Sequence, residues 1–143
     1  MPPPQLPHPW RDLRTNHPHI DVHWADLPHG IWALTDGVAR IWMHRGLVQR
    51  ERRSTLAHEL VHLRRDHRGC QPPRVERQVR AAAAAWLLPD ITAVADALCF
   101  YGDDYDGAAD DLWVDEPTLW ARLDPVHAPA AERAYVARRL EEL

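Results

Sequence analysis

The chain contains no lysine; all seventeen of its basic residues are arginine. Together with abundant alanine, proline, aspartate and tryptophan, this is a bias of the kind GC-rich coding imposes, and it says nothing about mechanism. Cysteine is scarce. Cys70 and Cys99 are the only two, too few to define a disulfide framework. No apolar run approaches the roughly twenty residues needed to span a bilayer. The opening MPPPQLPHPW lacks the apolar stretch of a signal peptide, so no membrane association is expected and the expected location is cytoplasmic. Excess positive charge is missing too: the net charge is −4, which gives no electrostatic reason for direct nucleic-acid binding. The one basic concentration, Arg50, Arg52, Arg53, Arg64, Arg65 and Arg68, reads as the solvated face of a helix.

What is present suits one ordinary domain. A chain of 143 residues, 45% apolar and 27% charged, can bury a core without staples. Residues 1–9 hold five prolines and are expected to be disordered or extended; residues 10–143 are expected to form a single domain. A short helix fits 10–17. Ile20, Val22 and Trp24 then alternate with polar neighbours, and two further runs rich in β-formers occupy 31–34 and 38–43. Asp36-Gly37 lies between the last two, the pair a tight type I′ hairpin favours. Helical spacing takes over from Val48 through Leu56, Leu60 and Leu63. Gly69 and Pro72-Pro73 close that helix and open another over 74–88, which stops at Pro89. Asp90 can cap a third helix to Tyr101, and two or three shorter ones fill 106–142. The expected class is α+β: a small antiparallel sheet of about three strands, then a helical body.

His58-Glu59-Leu60-Val61-His62 is an H-E-x-x-H on the long helix. Residues four apart lie one turn, ~5.4 Å, along the same face, so both imidazoles can reach one zinc ion. Glu59 is rotated about a third of a turn away, where it can touch a water on the metal without ligating it. Leu56, Leu60 and Leu63 form the opposing stripe, giving an amphipathic helix with ligands on one side and core on the other.

A catalytic zinc site usually has three protein ligands and one open position. Arg65 and Arg68 stand where other H-E-x-x-H patterns would need glycine and histidine. His67 and Cys70 read as end-of-helix residues. Glu76 is the better candidate, because a helix hairpin could turn it back toward the histidine pair, although a first-turn glutamate also complements the helix dipole.

The stretches RRSTLAHELVHL and VERQVRAAAAAWLLPD resemble the ImmA/IrrE family of metallo-endopeptidases. There H-E-x-x-H is followed by a helix that opens with a ligand glutamate and ends in small residues and Leu-Leu-x-Pro, here Ala81 to Pro89. The resemblance covers about residues 20–90 and weakens to a general helical tail over 91–143. It implies a zincin-like fold with 20–90 as its catalytic core, His58, His62 and Glu76 as zinc ligands, and Glu59 as catalytic base. It also implies that the substrate is a partner regulatory protein, a helix-turn-helix repressor of phage, mobile-element or stress genes. Where the family has Asn or Asp four residues after the ligand glutamate, this chain has Arg80. Bracing of a ligand histidine then falls to another residue, with Asp66 the candidate.

Three features carry weaker readings. An extended substrate could pair with the sheet along Ala39 to His44. A second oxyanion donor could be Tyr101, Tyr105, His127 or Arg80. The segment 108–123 has a faint helix-turn-helix spacing, but its carboxylates disfavour phosphate, and it reads as a helix pair packed on the core or a partner. The competing functional reading is a non-cutting relative that regulates a repressor or toxin partner by binding.

Overall fold

Helix α1 (Pro9–Asn16) begins inside the stretch where proline content predicted disorder. His8 caps it, its side chain accepting from the Arg11 N–H, and Pro9 is buried in the first turn, a position that needs no N–H. The computed structural model describes residues 6–143, so the remainder of that expectation, on residues 1–5, lies outside the described residues.

Three strands follow: β1 (Asp21–Ala25), β2 (Ala33–Thr35) and β3 (Arg40–His44). Their order is β1-β3-β2. β2 and β3 pair antiparallel, but β1 runs parallel to β3, so the sheet is mixed where a purely antiparallel one was expected. The stretch from Asp26 to Ala39, which contains β2, supplies the crossover a parallel pair requires. Ile41 and Met43 are fully buried, and the middle place goes to the strand that carries them. The hairpin is also looser than Asp36-Gly37 suggests. Thr35 pairs with Ile41, and the Asp36 carboxylate accepts from the N–H groups of Val38, Ala39 and Arg40 at 2.9, 2.9 and 3.0 Å. Those bonds hold its pKa down at about 2. Gly37 has φ +72, and a Cβ there would lie 3.0 Å from the Arg68 side chain, so the turn sits against the loop that follows the next helix.

That helix, α2 (Gln49–Arg64), is the centre of the molecule. The Glu51 carboxylate folds back onto the Val48 N–H at 2.9 Å to close its start. Leu56 and Leu60 join Leu13, Ile20, Ile41, Met43 and Leu47 in a core under the sheet. Ala57 and Val61 join a second core with α3 (Pro73–Leu87), α4 (Ile91–Tyr101), α5 (Tyr105–Asp111), α6 (Glu116–Arg122) and α7 (Ala130–Glu141). The helix is therefore clasped between two cores rather than amphipathic with one. The solvated-face reading of the arginines holds for Arg64, Arg65 and Arg68, which are exposed, and fails for the others. Arg53 is buried, Arg50 pairs with Asp106 and Asp110, Arg52 stacks over Trp24 and, of the exposed three, Arg64 lies over Trp86.

The tail is held by side-chain caps and arginine forks. Asp90, Asp104 and Asp115 cap α4, α5 and α6. The α5–α6 pair packs on the core through Ala108, Ala109, Val114 and Leu119. Buried Arg122 donates to the Leu88 carbonyl at 2.6 Å and to both oxygens of Glu132 at 2.9 and 3.1 Å. No single described helix is long and apolar enough to cross a membrane; α3 and α4 meet that test only as a pair bent by 92°.

Arg77 grips Asp124 through two bonds of 2.7 and 3.0 Å, and with the Val126 and His127 amides it holds that carboxyl well below the usual carboxylate range. Because the folded-state pKa is depressed, the stabilisation is complete above the unfolded pKa of ~4 and is lost as pH falls toward the folded value. Arg77→Ala is expected to lower Tm by a few degrees at pH 7 and to flatten the fall of Tm below pH 4, as followed by circular dichroism.

Candidate metal centre

One turn of α2 separates His58 from His62, and the next helix returns a carboxylate to both. His58 Nε2 lies 3.1 Å from Glu76 Oε2. His62 Nε2 lies 3.2 Å from His58 Nε2 and 3.2 Å from that same carboxylate oxygen. Two ligands ~2.0–2.1 Å from a tetrahedral ion stand about 3.3 Å apart, so the three donors already have the spacing of a shared ion. Glu76 reaches this place because α2 ends at Arg64 and Pro73 opens α3, with Glu76 in its first turn. Asp66 at φ +55 and Gly69 at φ +71 make the reversal between the helices.

The electrostatics suit a cation. His58 is pushed down to about 4, chiefly by burial and then by His62, against the pull of Glu76. Burial lowers His62 as well. Both imidazoles are therefore neutral near pH 7, the form that ligates metal. His58, His62 and Glu76 form a group that could hold a metal ion.

Glu59 stands beside them, with 9% of its surface exposed. Burial, then the charge of Glu76, raises its carboxyl to about 7. It makes no side-chain hydrogen bond to the described residues and lines the same cavity of about 730 Å³ as the three donors.

The remaining sequence candidates separate clearly. His67 is a brace: its Nδ1 lies 3.0 Å from His62 Nδ1, and its N–H donates to the His62 carbonyl. Asp66, expected in that role, is exposed in the helix reversal and makes no side-chain hydrogen bond or ion pair with His58 or His62. Cys70 lines the cavity but is not one of the converging donors. Arg80 also lines it, exposed, and its charge adds to the lowering of His58. Tyr101, Tyr105 and His127 do not line it.

Sequence reasoning missed two walls. The first is the start of α6, where Asp115 accepts from the Thr118 N–H at 2.9 Å and from its hydroxyl, while its own N–H donates to Ser54 Oγ at 3.1 Å. An aspartate two residues before a proline and three before a threonine signals a helix start, but not where that start packs. The second is β2. Ala39–His44 cannot offer an edge, because β3 is flanked on both sides. The outer strands are β1 and β2, and the edge beside the cavity is that of β2, with Gly30 to Thr35 among its lining. The Asp36 N–H donates to Arg40 and the His44 N–H to Trp32. Alternation along the antiparallel pair then turns the N–H and C=O of Ala33 and Thr35 away from β3.

The full chain is expected to bind about one divalent ion, measured by elemental analysis after dialysis against zinc. His62→Ala and Glu76→Ala should abolish stoichiometric binding. His67→Ala should weaken it by roughly 10–100-fold, the usual effect of removing a partner of a ligating histidine, and Asp66→Ala should leave it unchanged.

Comparison with known proteins adds no relative: no family model, no curated protein and no solved structure matches the chain.

Proposed function

We propose that this chain is a zinc-dependent endopeptidase that cuts a partner regulatory protein, a transcriptional repressor being the substrate class that the resemblance to ImmA/IrrE peptidases implies. The observation that carries this reading is Glu59: a nearly buried carboxylate without a hydrogen bond to the described residues, beside His58, His62 and Glu76. A carboxylate with no structural partner has a use when it exchanges protons.

Zinc held by His58, His62 and Glu76 would lower the pKa of a water to ~7 and polarise a peptide carbonyl. Glu59 would act as the base, its carboxylate oxygen accepting a proton from the attacking water and returning it to the leaving amine. His67 keeps the His62 ring oriented through its Nδ1. The outward N–H and C=O of Ala33 on β2 offer the edge against which an extended substrate can lie. The cavity is large enough for several residues of such a strand.

Cleavage of an extended-peptide library by the zinc-loaded chain, read by mass spectrometry, tests this. Glu59→Gln should keep the zinc and lose cleavage by ~10²–10⁴-fold. Ala33→Pro removes one outward N–H without breaking the ladder to β3; it should raise KM with zinc content unchanged. Equal cutting by wild type and Glu59→Gln would sink the reading, and a partner bound but left intact by both would establish the binding-only alternative.

A further inference from the structure

The cavity that holds the metal centre has one arginine in its wall. Arg80 is the sole arginine among the lining residues, and the chain has no lysine. It stands on α3 one turn after Glu76, with Ala83 following on the same side. Glu76, Arg80 and Ala83, at i, i+4 and i+7, are the stripe of α3 that lines the cavity. The charge of Arg80 is felt at the ligands: after burial and His62, it is a further influence that lowers His58.

Nothing in the fold occupies this side chain. Arg80 is exposed and makes no hydrogen bond or ion pair with the described residues. Neighbouring arginines are used differently. Arg77, three residues earlier, is fastened to Asp124, and Arg122 on α6 to Glu132. Glu76 lies four residues before Arg80, the ordinary spacing of a helical ion pair, but it turns to His58 and His62 instead. Asp115, also in the lining, caps α6 through Thr118. A guanidinium left without a partner in the wall of a cleft is suited to a carboxylate brought from outside, because its planar fork matches the two oxygens.

Two lengths fix which carboxylate it would meet. Arg80 is displaced from Glu76 by about 6 Å along α3. An extended peptide advances ~3.3 Å per residue, and residues two apart face the same side. For a substrate running along the α3 stripe, the side chain opposite Arg80 is therefore about two residues from the bond at the metal. We propose that Arg80 sets specificity by receiving the carboxylate of an Asp or Glu side chain about two residues from the scissile bond. The inference deepens the peptidase reading and rests on it for the position of that bond. It is a binding role one turn away from the ligands, distinct from that of an oxyanion donor at the metal.

The test separates binding from cutting. The zinc-loaded chain carrying Glu59→Gln is immobilised and offered a randomised peptide library with both termini blocked, and the retained peptides are sequenced by mass spectrometry. Asp and Glu should be enriched over Asn and Gln at one position by at least about fivefold, the gain of a charge-assisted bond. Adding Arg80→Ala should remove the enrichment, Arg80→Lys should keep part of it, and Arg80→Glu should replace it with enrichment of Arg and Lys, at equal zinc content in every chain. No acidic enrichment, or one unchanged by Arg80→Ala, overturns the proposal. So does an enrichment seen only when C-termini are left free, which would make the ligand a terminal carboxylate. The wild-type chain given the same library reports on the peptidase reading alone: acidic peptides retained but left uncut would retire that reading and keep Arg80 as the selector of a bound partner.

Discussion

A helix buried between two cores has no spare face, and that constraint on α2 organises the rest of the molecule. Leu56 and Leu60 belong to the core under the sheet, Ala57 and Val61 to the helical core. The residues between those stripes, His58, Glu59 and His62, are left to face the cavity between β2, α3 and α6. Their burial follows from this position, and the neutral imidazoles and raised carboxyl follow from their burial. The chemistry of the site is a consequence of how its helix is packed on either side.

Charge is handled differently in the two halves of the problem. In the tail, arginines are used as forks that match carboxylates two bonds at a time, as in Arg77–Asp124 and Arg122–Glu132, a geometry lysine cannot reproduce. At the metal centre no arginine ion-pairs with Glu76 or Glu59. Glu59, Glu76, His58 and His62 gather there with Arg80 at the wall, a donor set that could hold a metal ion.

Much of this was legible in the chain. The one-turn spacing of His58 and His62 is a local property of a helix, and Glu76 follows from a short reversal bounded by Gly69 and Pro72. The capping role of Asp90 was readable for the same reason. What was not readable depends on which elements become neighbours. Alternation marks Ile20 to Trp24 as a strand but is blind to the direction of its partner, so the parallel β1–β3 pair and the edge position of β2 escaped. Counting apolar residues on α2 gave one stripe because the second is made of Ala57 and Val61, too small to stand out. Asp66 was chosen as the brace of His62 on helical spacing. The helix ends at Arg64, and the chain turns through a left-handed residue that brings His67 there instead.

The two cores meet at α2 and at Trp86, which packs against both. Each has its own interior, and the two are joined along one helix. A ligand lying from β2 across to α6 bridges the two. It would tie the two cores together, so that occupancy of the cleft would stabilise both at once.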